Sequence, residues 1–171
     1  MLREVLISGQ TMSSAKISDD GRYRYLLERD WGPGPRMIFC MLNPSTADAT
    51  KDDPTIRRCT GFANREGCGG IKVVNLYALR SPSPSDLAKD ADPFGPENAA
   101  FLQWAFDMSR ELRYPLIASW GAGLDPLKIG EQIRGWVIRR HARFQCLGRT
   151  KDGRPKHPLY LPRDQQLEAF L

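Results

Sequence analysis

Three continuous apolar runs stand out along the chain: Arg36 to Leu42 (RMIFCML), Ile71 to Leu76 (IKVVNL) and Pro115 to Trp120 (PLIASW). Runs of this length without polar alternation fit β-strands covered on both faces, as in a parallel sheet. Between them the apolar period lengthens. Ile56, Cys59, Phe62 and Ala63 recur at helical spacing after Asp53-Pro54, a capping residue followed by Pro at the first helical position. The same reading opens a second helix at Gly95-Pro96, bearing Phe101, Leu102, Ala105, Met108 and Leu112 at helical spacing. A third opens at Asp125-Pro126 and carries Ile129, Ile133, Trp136 and Val137. A further strand is predicted over Arg143 to Leu147.

Ahead of the first apolar run, SAKISDDGRYRYLLERDW predicts a β-hairpin over about residues 14–30, turning at Asp20-Gly21, with Ile17, Tyr23, Tyr25 and Leu27 spaced for strands. Gly32-Pro33-Gly34-Pro35 ends it. Strands alternating with helices imply a three-layer α/β/α sandwich with a mainly parallel central sheet, preceded by the N-terminal hairpin. A length of 171 residues fits one domain, and no internal repeat or low-complexity stretch divides it.

Composition narrows the class. Hydrophobic residues make up 41% and charged residues 26%, and no apolar stretch approaches the roughly 20 residues of a membrane span. The start, MLREVLISGQTMSS, lacks the basic head, long apolar middle and cleavage site of a signal peptide, so a cytoplasmic location is expected. Cys40, Cys59, Cys68 and Cys146 form no C-x2-C pair, which favours reduced thiols over metal ligation; neither metal nor cofactor is expected. The net charge is +5, and basic residues crowd between Arg134 and His157, a distribution suited to phosphate-bearing partners.

In open α/β sheets, ligands sit outside the carboxyl ends of the strands. The first run ends in Asn43, Ser45, Thr46 and Asp48, the second in Asn75, Tyr77 and Arg80, and the third in Trp120-Gly121-Ala122-Gly123. Gly121 and Gly123 permit close approach to backbone. The segment GRPKHPLYLP adds Lys156 and His157 in a loop stiffened by Pro155, Pro158 and Pro162. Each of these has a plainer reading. Asn43-Pro44 also starts turns, Asn75 also caps buried strand ends, and His157 also serves as a structural hydrogen-bonder. Tyr77 and Trp120 are commonly core, Arg57 and Arg58 fit a solvated helix face, and Asp48, Asp52 and Asp53 fit capping and loop chemistry.

The blocks LNPSTAD, DPTIRRC, VNLYALR, ADPFGPEN and KHPLYLP resemble an uncharacterised bacterial and phage family, over roughly Arg36 to Pro162. That resemblance carries no activity. More distantly, the order MLNP, VVNLYAL, ASWG and KHPLYL resembles the uracil-DNA glycosylase superfamily. The likeness implies that Asn43 orients or activates the attacking water, Asn75 bonds the base edge, and His157 stabilises the departing base. Met41 stands where that superfamily has Gly, and Leu159 where it has Ser.

On this reading Asn43 and His157 are the candidate catalytic residues. Asn75, Tyr77 and Ser45 are candidate base contacts, and Arg80, Lys156 and Gly121 candidate phosphate or nucleic-acid contacts. The expected partner is DNA or a nucleotide, with no membrane. The expected activity is cleavage of the N-glycosidic bond of a nucleobase, possibly a modified one. The alternatives are a non-catalytic nucleic-acid or nucleotide-binding domain, and a metal-dependent hydrolase using Asp48, Asp52, Asp53 and His157.

Overall fold

The structure, a computed structural model, describes residues 3–7 by their backbone and residues 11–171 apart from 124 and 126. Within them, eight strands form one mixed sheet: β1 (Arg3–Ile7), β2 (Thr11–Ile17), β3 (Arg24–Asp30), β4 (Arg36–Met41), β5 (Gly70–Asn75), β6 (Leu116–Ala118), β7 (Phe144–Cys146) and β8 (Glu168–Ala169). Their order across the sheet is β1-β2-β3-β5-β4-β6-β7-β8. The central four, β5, β4, β6 and β7, are mutually parallel, and every flanking strand pairs antiparallel. The expectation of a mainly parallel sheet therefore holds for the centre alone. The N-terminal hairpin of β2 and β3 is part of the same sheet, because β3 pairs with β5. It turns where Gly21 takes φ 74° and donates its N–H to the Ser18 carbonyl at 2.9 Å.

Three α-helices accompany the strands: α1 (Pro54–Arg65), α2 (Asn98–Leu112) and α3 (Ile129–Arg139). The Asp53 carboxylate caps α1 by accepting the Ile56 N–H at 2.9 Å, and Ile56, Cys59, Phe62 and Ala63 are its buried face. The other two helices begin two or three residues later than their Pro signals. In α2 the first residue, Asn98, is buried and donates through Nδ2 to the Asn75 and Leu76 carbonyls, so a tertiary contact rather than Pro96 sets its start. Leu112 is 54% exposed, because Arg113 already turns left-handed at φ 55° and ends the helix. Of the Asp125-Pro126 signal, residue 126 lies outside the described residues. The Asp125 carboxylate accepts the Ile129 and Gly130 N–H groups at 2.9 and 2.8 Å, capping α3 from four residues upstream.

Alternation along each strand divides the core into two apolar clusters. Ile38, Cys40, Val74, Leu76, Leu116 and Ala118 pack with Leu102, Ala105 and Phe106 of α2 and Ile133 and Val137 of α3. Met37, Phe39, Met41, Ile71, Val73 and Ile117 pack with the buried face of α1. Each such fully buried large side chain contributes roughly 1.5–3 kcal/mol. Both faces of the central strands are covered, which explains why their sequences read as unbroken apolar runs. Among the described residues, no helix is long and apolar enough to cross a membrane.

Candidate functional site at the carboxyl ends of the central strands

The chains leaving β4 and β5 stay side by side beyond the sheet. Leu76 N–H donates to the Met41 carbonyl, Tyr77 to Leu42, and Ser81 to Pro44, at 2.8 to 2.9 Å. Asn43 stitches the same two segments: its Nδ2 donates to the Ser81 carbonyl at 3.0 Å and the Pro44 carbonyl at 3.1 Å. Those bonds fix the plane of the amide and leave Oδ1 as its accepting end. The rest of the loop is held from within. The Asp48 carboxylate accepts from the Thr50 and Lys51 N–H groups and the Thr50 hydroxyl, and these hydrogen bonds hold it below the usual carboxylate range. Ser45 is half-buried and Thr46 exposed.

Asn75 closes β5 opposite Met41 of β4. It is 1% exposed, and neither its Nδ2 nor its Oδ1 has a hydrogen-bond partner among the described residues. A buried amide unpaired at both ends costs folding free energy, roughly 1–3 kcal/mol per group, unless something else satisfies it. Strand alternation turns its side chain to the α1 face of the sheet, with Val73 and Met41.

His157 approaches from the C-terminal loop. A Cβ on Gly121 would stand 3.3 Å from the His157 Cβ, so glycine at φ 75° is what lets the two segments meet. His157 Nδ1 accepts the Leu159 N–H at 3.3 Å, which leaves the proton of a neutral ring on Nε2. Burial pushes the imidazole below its ordinary value of 6.5, partly opposed by the nearby Asp53 carboxylate. The ring is thus a neutral donor at physiological pH, beside the start of α1.

The remaining candidates divide. Tyr77 is fully buried in the α2/α3 cluster, and its hydroxyl bonds the Asp125 carboxylate and receives the Leu127 N–H. Burial and that carboxylate push the phenol up. Arg80 is half-buried and donates to the Gly21 carbonyl at 3.0 Å. Lys156 is half-buried and has no ion-pair partner among the described residues, whereas Arg140, Arg149 and Arg154 of the basic third pair with Asp107, Glu168 and Asp152. A cleft of ≈830 Å³ opens on the α3 side, lined by Leu42, Trp120, Gly121, Arg134 and Arg154 among others. Of the candidate residues only Gly121 borders it, so this cleft and the unpaired polar atoms lie on opposite faces of the sheet.

Two arginines absent from the sequence-derived set organise the loop after β4. Arg24, 3% exposed, donates through Nη1 to the Ala47 carbonyl at 2.8 Å. Burial brings it down to about 10, with Asp53 opposing and Arg80 and Arg29 adding to the fall, so it stays cationic at neutral pH. Arg29 donates to the Asp48 carbonyl and pairs with Asp52 at 2.9 Å. Arg29 falls in the phase of Tyr25 and Leu27, where alternation predicts an apolar residue, and that mismatch was its available signal; Arg24, in the other phase, carried none. The acidic trio is engaged accordingly: Asp48 in its loop, Asp52 with Arg29, Asp53 as helix cap.

The fold and this site define a mixed α/β protein with polar side chains gathered where its parallel strands end. Residues 24–159 match the family described as Protein of unknown function (DUF1643), and the chain belongs to that family. No curated protein and no solved structure matches it.

Proposed function

We propose that the chain is a glycosylase-like hydrolase on a three-layer α/β/α sandwich of the uracil-DNA glycosylase type, cleaving the N-glycosidic bond of a nucleobase in DNA or a nucleotide. The observation that carries this is Asn75: a buried amide offering donor and acceptor together, with neither used among the described residues. Such a pair complements the lactam edge of a base, and a flipped base is the ligand that brings one into a protein interior. In the reaction, a water oxygen bonds to the anomeric carbon while the carbon–nitrogen bond breaks. The bonding pair leaves with the base, and a water proton is released. His157, neutral with Nε2–H available, donates to the base oxygen where negative charge develops, a class of interaction whose loss costs roughly 3–4 kcal/mol. Asn43, its amide nitrogen held by three carbonyls, presents Oδ1 to orient the water. It is no general base, so turnover is slow unless the leaving base is activated.

The alternative is a binding module without turnover, and the absence of a carboxylate at position 43 favours it. DNA carrying uracil or modified bases is the test. Abasic sites form with wild type, survive EDTA, and vanish with Asn43→Ala and His157→Ala. Retained, salt-sensitive DNA affinity with no product across the panel supports the binding module instead.

A further inference from the structure

Asn75 is not alone in its row. Ser119, the residue after β6, is fully buried, and its hydroxyl also lacks a partner among the described residues. Its N–H donates to the Cys40 carbonyl at 2.8 Å, continuing the pairing in which Ala118 stands opposite Cys40. Ser119 therefore stands beside Met41, the residue that Asn75 faces from the other side. Alternation fixes its face as well: Ile117 belongs to the α1 cluster and Ala118 to the other, so Ser119 points with Asn75 and Met41 toward α1. Three adjacent strands thus present amide, thioether and hydroxyl in one line, and only the thioether is content when dry.

We propose that Ser119 is a specificity-determining contact for the base bound at Asn75, donating to the ring carbonyl that the lactam edge read by Asn75 does not use, with Met41 standing between the two contacts. This rests on the nucleobase reading above. Two strand spacings, about 9.5 Å between backbones, separate Asn75 from Ser119, with Met41 in the strand between them. A ring with two carbonyls flanking one ring N–H gives both residues a partner, whereas a purine with a single carbonyl leaves Ser119 without one. Ala47 of the loop after β4 and Leu161 of the His157 loop belong to the same apolar cluster as Met41, on this face of the sheet.

An unpaired buried hydroxyl kept for a ligand costs the protein stability. Ser119→Ala separates that role from a structural one in two readouts. The thermal midpoint of Ser119→Ala rises relative to wild type, since a methyl is better accommodated than an unsatisfied hydroxyl. In calorimetric titration with free uracil, the variant's affinity falls about tenfold, and its preference for uracil over hypoxanthine shrinks. Asn75→Leu, which removes the amide at similar volume, also raises the midpoint and abolishes uracil binding. A lowered midpoint in Ser119→Ala means the hydroxyl has a partner in the protein, and the assignment falls. Wild-type uracil binding unchanged in Ser119→Ala overturns the assignment while leaving the nucleobase reading intact. If wild type binds neither base, the nucleobase reading falls and this contact with it.

Discussion

Asn43 and Ser81 are joined by a side-chain hydrogen bond, Nδ2 to carbonyl oxygen at 3.0 Å, that ties the loop following β4 to the segment following β5. The same nitrogen serves Pro44 and, at 3.5 Å, Leu79, so position 43 needs a donor facing three carbonyl acceptors. Asn43→Ala is expected to cost about 1–3 kcal/mol in urea unfolding, the penalty of leaving the Ser81 carbonyl without a donor while Pro44 keeps the Ser81 N–H. Asn43→Asp costs more at neutral pH, because it turns a carboxylate oxygen toward those carbonyls. Equal midpoints for the two variants would contradict the bonding described.

Arg24 anchors the following turn of the loop through the Ala47 carbonyl. Arg24→Met keeps the stem's packing and removes the guanidinium, leaving Ala47 without its donor. Stability falls by about 1–3 kcal/mol. Amide hydrogen exchange quickens locally over residues 44–52, while β4 and β5 keep their protection. Uniform quickening throughout the sheet would instead mean that Arg24 supports the core and not the loop.

These two residues also show what could be read beforehand. Apolar periodicity located all three helices and six of the eight strands, because residues such as Phe39, Val73 and Ile133 are fully buried and only their burial had to be inferred. The capping function of Asp53 was legible because a cap is a local contact. Arg24 was not, and Arg29 only as a break in the alternation, since the role of a buried arginine is set by partners such as Ala47, Asp48 and Asp52, about 20 residues away in sequence. β1 and β8 were missed for a similar reason: short edge strands owe their pairing to a neighbour and carry little pattern of their own. Among the site residues, Asn75 was found by its place at a strand end. Ser119 was overlooked inside the apolar run PLIASW, where a lone small polar residue looks incidental.

The four thiols are all buried and unpaired. Burial pushes Cys40 and Cys59 far up, and Cys146 up to about 11 with Glu168 adding to the rise. Since the thiolate is the reacting species, native protein at pH 8 should react only slowly with a disulfide reagent, and four equivalents should appear at once in denaturant. A rapid equivalent in native protein would place one thiol at the surface.

His157 supplies the pH dependence. Its folded value lies below the 6.5 of an ordinary histidine because burial disfavours the cation, Asp53 only partly compensating. The unfolded chain therefore binds this proton more readily than the folded one. Between the folded value and about 6.5, unfolding takes up a proton, so stability rises with pH across that window and is level above it. Acidification through the window withdraws stability, and the loss is complete once the folded imidazole is itself protonated. Urea unfolding of wild type and His157→Gln, compared at a series of pH values, isolates the effect because the carboxylates titrate alike in both. The stability difference, wild type minus variant, should shrink as pH falls below about 6.5. A constant difference would mean that His157 titrates as it does in water, and that its ring is not the buried neutral donor on which the reading of the site depends.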